Sequence, residues 1–112
     1  MGLRCQLFPG GFSGERVIEV QLASRKTYRG LAPLHYCWTD HGHPLKPDEP
    51  APGSSLHGIV AARLLSRQSD GLATVTVPDG EILVVSDDVI VDRPETELTS
   101  NVPLRQGPAV GA

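Results

Sequence analysis

Residues 58–92, GIVAARLLSRQSDGLATVTVPDGEILVVSDDVIVD, decide the fold. They read as three strands in a row and a short fourth, joined by tight turns, which points to a small, strongly curved antiparallel sheet. Asp79-Gly80 is expected to close a two-residue type I′ hairpin, because both central positions need positive φ and Gly accepts that without a Cβ clash. Pro78 flanks the turn, where its missing N–H does least harm to a ladder. The arms, residues 72–77 and 81–86, are rich in β-branched residues that suit a pleated, half-buried surface. Ala73, Val75 and Val77 alternate with Thr74 and Thr76, the pattern of a strand with one wet face. Residues 81–86 are apolar on both faces, which predicts the more central strand. Upstream, residues 58–65 form a third run, linked by Ser69-Asp70-Gly71. An amphipathic helix over 59–65 is the competing reading, from the helix propensity of Ala-Ala-Arg-Leu-Leu. The short run between Gly58 and a turn cluster favours strand. Downstream, Ser86-Asp87-Asp88 turns the chain into Val89-Ile90-Val91, and Arg93-Pro94 ends the sheet.

Working outward, residues 15–23 alternate well, with Ile18, Val20 and Leu22 on one face and Glu19 and Gln21 on the other. Ser24-Arg25-Lys26 turns the chain. Residues 27–38 return as a strand, broken or bent at Gly30 or Pro33, since Pro cannot donate to a ladder. Residues 1–14, with Pro9-Gly10-Gly11, read as an irregular lead-in that tucks Phe8 or Phe12 against the domain. In residues 39–56, Pro44, Pro47, Pro50 and Pro52 predict an extended polyproline-II loop. Pro44-Leu45-Lys46-Pro47 is more simply part of that stiff surface loop than a ligand for a Pro-binding domain. Residues 94–112 read as a flexible tail whose one apolar spot is 101–104. The domain itself is placed at residues 15–93.

From Thr27 onward the order is strand, long loop, strand, short loop, strand, tight hairpin, strand, tight turn, short strand. This layout resembles the SH3-like barrel shared by SH3, Tudor and KOW-type domains. Loop 39–56 matches the loop between the first two barrel strands, Asp79-Gly80 the distal hairpin, and Ser86-Asp87-Asp88 the 3₁₀ turn before the last strand. The expected fold is therefore all-β: a small SH3-like antiparallel barrel with an additional N-terminal strand at 15–23 and an irregular C-terminal tail. The resemblance covers residues 27–92 in pattern only. The chain lacks the paired Trp of Pro-binding SH3 domains and the four-aromatic cage of Tudor domains, so neither ligand class carries over.

The 112 residues suffice for one domain and one core. Five aromatics leave that core to Val, Leu, Ile and Ala, while 22 Gly and Pro fit short strands and many turns. Net charge is −3. No extended basic run marks a phosphate footprint. Arg25, Lys26 and Arg29 are the local candidates for nucleic-acid contact, against the plainer reading of a solvated hairpin tip. Two cysteines, Cys5 and Cys37, make no disulfide framework, and a reducing cytoplasm is the expected compartment. No apolar stretch suggests a secretory leader or approaches the ~20 residues of a membrane span. Met1-Gly2 begins like an acylation signal, but Gln6 stands where Ser or Thr is wanted.

His35, Cys37, His41 and His43, with Asp40 and Cys5 nearby, are the candidate metal ligands, since Cys and His bind zinc in tetrahedral sites. A paired C-x₂-C spacing is missing, and the competing reading is a core thiol beside solvated loop histidines. Catalytic patterns are scarcer. Ser13 lacks the G-x-S-x-G elbow, no Gly-rich phosphate loop occurs, and Cys37 beside His35 has no orienting third group. Asp79, Glu81, Asp87 and Asp88 read as turn formers. Tyr36 and Trp38 are candidate partner anchors next to the long loop, or else core filling. The sequence thus predicts a non-catalytic protein-interaction module, an accessory subunit of a larger assembly, with a protein partner, no membrane and no catalytic residue. A zinc-stabilised domain and a KOW-like nucleic-acid binder are the alternatives.

Overall fold

The computed structural model describes residues 1–92. The strands are β1 (Gly2–Pro9), β2 (Glu15–Gln21), β3 (Thr27–Pro33), β4 (Cys37–Thr39), β5 (Leu56–Ala61), β6 (Arg63–Arg67), β7 (Leu72–Thr76), β8 (Ile82–Ser86) and β9 (Ile90–Val91). Two 3₁₀ turns, Leu34–Tyr36 and Asp87–Val89, precede β4 and β9. Every pairing is antiparallel. One sheet runs β3-β2-β1-β5-β4, with β9 added on β1; the other runs β6-β7-β8. The fold is all-β, in two sheets, and neither sheet closes into a barrel.

The strands form where period-2 alternation puts apolar side chains on one face. Leu3, Cys5 and Leu7 of β1, Ile18 and Val20 of β2, and Val60 of β5 point into one core with Ala73, Val75, Leu83 and Val85 of the second sheet. The sheets are joined by one long run that passes from β5 to β6 through Ala62, whose N–H donates to the Met1 carbonyl at 3.0 Å. That run is strand on both sides of Ala62 and not helix, as its shortness and flanking turns predict.

Several expectations are corrected. Residues 1–14 are not an irregular lead-in: residues 2–9 are β1, which pairs with β2, β5 and β9. The pattern that makes it a strand is the alternation of Leu3, Cys5 and Leu7 with Arg4 and Gln6. The strand expected at 15–23 as an addition to the barrel layout is β2, an inner strand between β1 and β3. The return strand breaks at Pro33 and not at Gly30; the chain turns through residues 34–36 and resumes as β4 on the opposite edge of the same sheet. Strand β8 is an edge and β7 is central; Ile82 (63% exposed) and Val84 lie on the outer face of the sheet, opposite Thr76 and Thr74. Apolar residues on both faces did not mean burial on both. The turn after β7 is also not type I′. Only Gly80 has positive φ (93°), and its N–H donates to Val77 O at 2.9 Å, with Pro78 leading the turn. That is a three-residue loop with glycine in the left-handed position. The tail at 94–112, its apolar spot at 101–104 and the end of the sheet at Arg93-Pro94 lie outside the described residues. No helix among the described residues is long and apolar enough to cross a membrane.

Candidate functional site: an apolar groove around Pro78

One wall of the groove is a turn that Arg16 holds in place. By parity in β2 this side chain points inward beside Ile18 and Val20, and it is buried. Among the described residues no carboxylate pairs with it. Its guanidinium instead donates to five main-chain carbonyls: Nε to Glu49 O (2.7 Å), Nη1 to Ser13 O (2.8 Å) and Glu15 O (2.7 Å), and Nη2 to Pro47 O (2.7 Å) and Lys46 O (3.4 Å). The planar fork of arginine can serve that many acceptors at once, and a buried cation is tolerated only when so satisfied. Arg16 thereby ties the 10–15 turn and the Pro-rich loop to the sheet.

The turn it holds presents Phe12, which is 72% exposed. Glu15 fixes the turn from both sides: its N–H donates to Phe12 O and its carboxylate accepts from Gly11 N–H, each at 3.2 Å. Phe12, Leu31 (46% exposed), Pro33 and Pro78 line a depression of about 340 Å³. Across Pro78 a second depression of about 320 Å³ is lined by Tyr36, Ala62, Arg63 and Val77. The two depressions share Pro78 as a lining residue, and together they reach from the 10–15 turn to the start of β6 as a mostly apolar groove with Glu15, Asp79, Arg63 and Thr76 along it. The β7–β8 turn is anchored beside it by Asp79, which accepts from the Tyr28 hydroxyl and from Glu81 N–H. Burial raises the Tyr28 pKa first, and the hydrogen bond to Asp79 raises it further.

A polar groove of about 380 Å³ crosses the outer face of the first sheet. Register lines up His57, Gln6, Glu19 and Arg29 across four strands, and Arg4 and Asp40 flank this row. Glu19 is engaged by Arg29, which also lies over the Phe8 ring at 5.1 Å.

The predicted site residues are scattered. Tyr36 is exposed in the turn after β3 and lines the apolar groove. Trp38 is 9% exposed, in β4 opposite Ile59, with Pro44 on its other side. The 3₁₀ turn therefore parts two aromatics that an unbroken strand would have placed on one face. It also parts His35 from Cys37. His35 is exposed and its ring lies 4.3 Å from that of Tyr36, whereas Cys37 points inward and donates to Pro33 O at 3.6 Å. His41 and His43 are exposed on the loop after β4. Among the described residues no three His, Cys, Asp or Glu side chains are gathered as metal ligands, so these four do not form a centre here. Burial pushes the Cys37 thiol up to about 12, against the opposing pull of Arg16. Cys5 is raised by burial too, with Cys37 and Asp40 adding to it. Neither thiol is in a disulfide, and burial favours the protonated form of both. Arg25 sits at the β2–β3 tip with a φ of 74° beside exposed Lys26, while Arg29 is held by Glu19.

The sequence reading missed Leu31 and Arg16, and it offered Phe12 as a residue tucked against the domain, whereas Phe12 stands in solvent on the 10–15 turn. The inward parity of Arg16 was legible beside Ile18 and Val20. Nothing local in the sequence marks Leu31 as outward. Compared with models of protein families, with curated proteins and with solved structures, the chain finds no match.

Proposed function

We propose that this protein is a non-catalytic protein-interaction module, serving as an accessory subunit of a larger assembly and gripping its partner in the groove around Pro78. The observation that carries this reading is the exposure of Phe12, Leu31 and Tyr36 along one groove, in a chain with only five aromatics. Large apolar and aromatic side chains left in water along a shaped surface favour partner binding. Arg16 ties down the 10–15 turn and Asp79 the β7–β8 turn, and walls held by such bonds lose less ordering entropy on docking.

Connectivity supports an SH3-like arrangement, shifted from the one expected. β1 is its first strand, the segment from β2 through the 40–55 loop is a long excursion, and β5–β6 is a bent strand shared by two sheets. The meander β7–β8, a 3₁₀ turn and β9 complete it. The test is a double variant, Phe12→Ser with Leu31→Ser, both at exposed positions. It should keep the melting temperature within a few degrees while abolishing the complex that the tagged native protein retains from cell extract. A complex retained at native yield by the double variant would remove the groove from the reading.

A further inference from the structure

Besides the two-residue β9, the two sheets have four edge strands among the described residues, and three of these have another segment of the chain against them. Along β4 the loop runs back, with Thr39 N–H donating to His43 O at 2.8 Å and Leu45 N–H to Cys37 O at 3.2 Å. At β8 the β2–β3 turn arrives, and Ala23 N–H donates to Val84 O at 3.0 Å. Against β3 leans the β7–β8 hairpin, its Asp79 carboxylate bonded to Tyr28 and close over Gly30. The fourth edge, β6, pairs with β7 alone among the described residues, and all five of its residues are exposed. An unobstructed edge presents a row of main-chain donors and acceptors to which another strand can add. No proline interrupts this one, and its bulge lies between Leu64 and Ser66.

We infer that β6 is a docking edge for an extended peptide that bears carboxylates and adds to the second sheet as a further strand. The charges choose this occupant. The strand carries Arg63 and Arg67 and no acidic residue. Arg67 has Asp87 at 3.1 Å; Arg63 has no ion pair among the described residues. A second copy is disfavoured, because antiparallel self-pairing centred on Leu65 sets Arg63 opposite the other copy's Arg67, and like charges directly opposite repel. An added strand gains main-chain hydrogen bonds for affinity and side-chain complementarity for choice. A carboxylate opposite Arg63 supplies that complementarity.

This inference shares with the proposed function only the notion of an interaction module; it does not depend on the groove. The probe is the peptide acetyl-Glu-Val-Thr-Val-Glu-amide, titrated into ¹⁵N-labelled full-length protein and followed by amide shifts. Its counterpart has both Glu replaced by Lys. Shifts are expected to centre on residues 63–67 and the neighbouring 72–76. The acidic peptide should bind at least about fivefold more tightly than the basic one, and Arg63→Glu should reverse that order. Binding of neither peptide, equal binding of both, or shifts centred on another edge would overturn it. So would concentration-dependent dimerisation that protects the β6 amides, which would give the edge to a second copy. The Phe12→Ser, Leu31→Ser variant must bind the peptide as the native protein does, so a failed groove and a failed edge are read separately.

Discussion

At the scale of single residues, Arg16 is the most consequential side chain. Five carbonyls depend on one guanidinium. Arg16→Ala should leave them partly unsatisfied in a buried site and lower unfolding free energy by about 3 kcal/mol, read as a fall in the urea midpoint. Arg16→Lys should recover only a minor part, because an ammonium keeps the charge but loses the planar fork. The two thiols make a separate prediction. Below pH 9.0, the ordinary thiol value, folded and unfolded chains both hold these protons. Above it the unfolded chain releases them and the folded chain does not, so stability falls as pH rises from about 9 towards 12. Each thiol contributes up to about 1.4 kcal/mol per pH unit across that window. Urea midpoints at pH 8, 9.5 and 10.5 should drop steeply for the native protein. The slope should flatten for Cys5→Ala with Cys37→Ala, whatever that pair does to stability at pH 8.

At the scale of elements, packing around Gly58 controls how β4 and β1 flank β5. A Cβ there would collide with the Trp38 carbonyl oxygen and the Leu7 side chain. Gly58→Ala should cost about 1–3 kcal/mol through overpacking against a main chain that cannot yield. Gly14→Ala, which meets nothing within 4 Å, should be close to neutral in the same thermal melts. The elements themselves were unevenly legible in the sequence. The β2–β3 hairpin and the β7–β8 meander could be read because alternating Ile18 and Val20, or Val75 and Val77, lie beside recognisable turn residues. β1 carried the same alternation in Leu3, Cys5 and Leu7 but ran into Pro9-Gly10-Gly11, and those breakers masked it. The edge position of β8 could not be read at all. Ile82 and Val84 look like core residues, and only the register that sets them opposite Thr76 and Thr74 places them on the wet face. The candidate site was legible at Tyr36 alone. Phe12, Leu31 and Pro78 meet through β2–β3 and β7–β8, and their proximity is written nowhere along the chain.

At the scale of the whole molecule, two sheets share one core, and the contacts that define it link distant parts of the chain. β1 joins residues 2–9 to residues 56–61 and 90–91. An all-β chain with such pairings is expected to fold in milliseconds to seconds, since long loops must close before those contacts form. Stopped-flow refolding of the native chain checks this. The pairing of Gly2 with Val91 and Leu3 with Ile90 also brings residue 92 beside Met1, one strand spacing away. The order in which the segments are synthesised is therefore open to rearrangement. A gene that joins residue 92 to residue 1 through a short Asn-Gly-type turn, and begins instead in the exposed 51–55 stretch, should encode a circularly permuted protein with the same strand pairings. Its amide spectrum should overlay that of the parent everywhere except at the old and new ends.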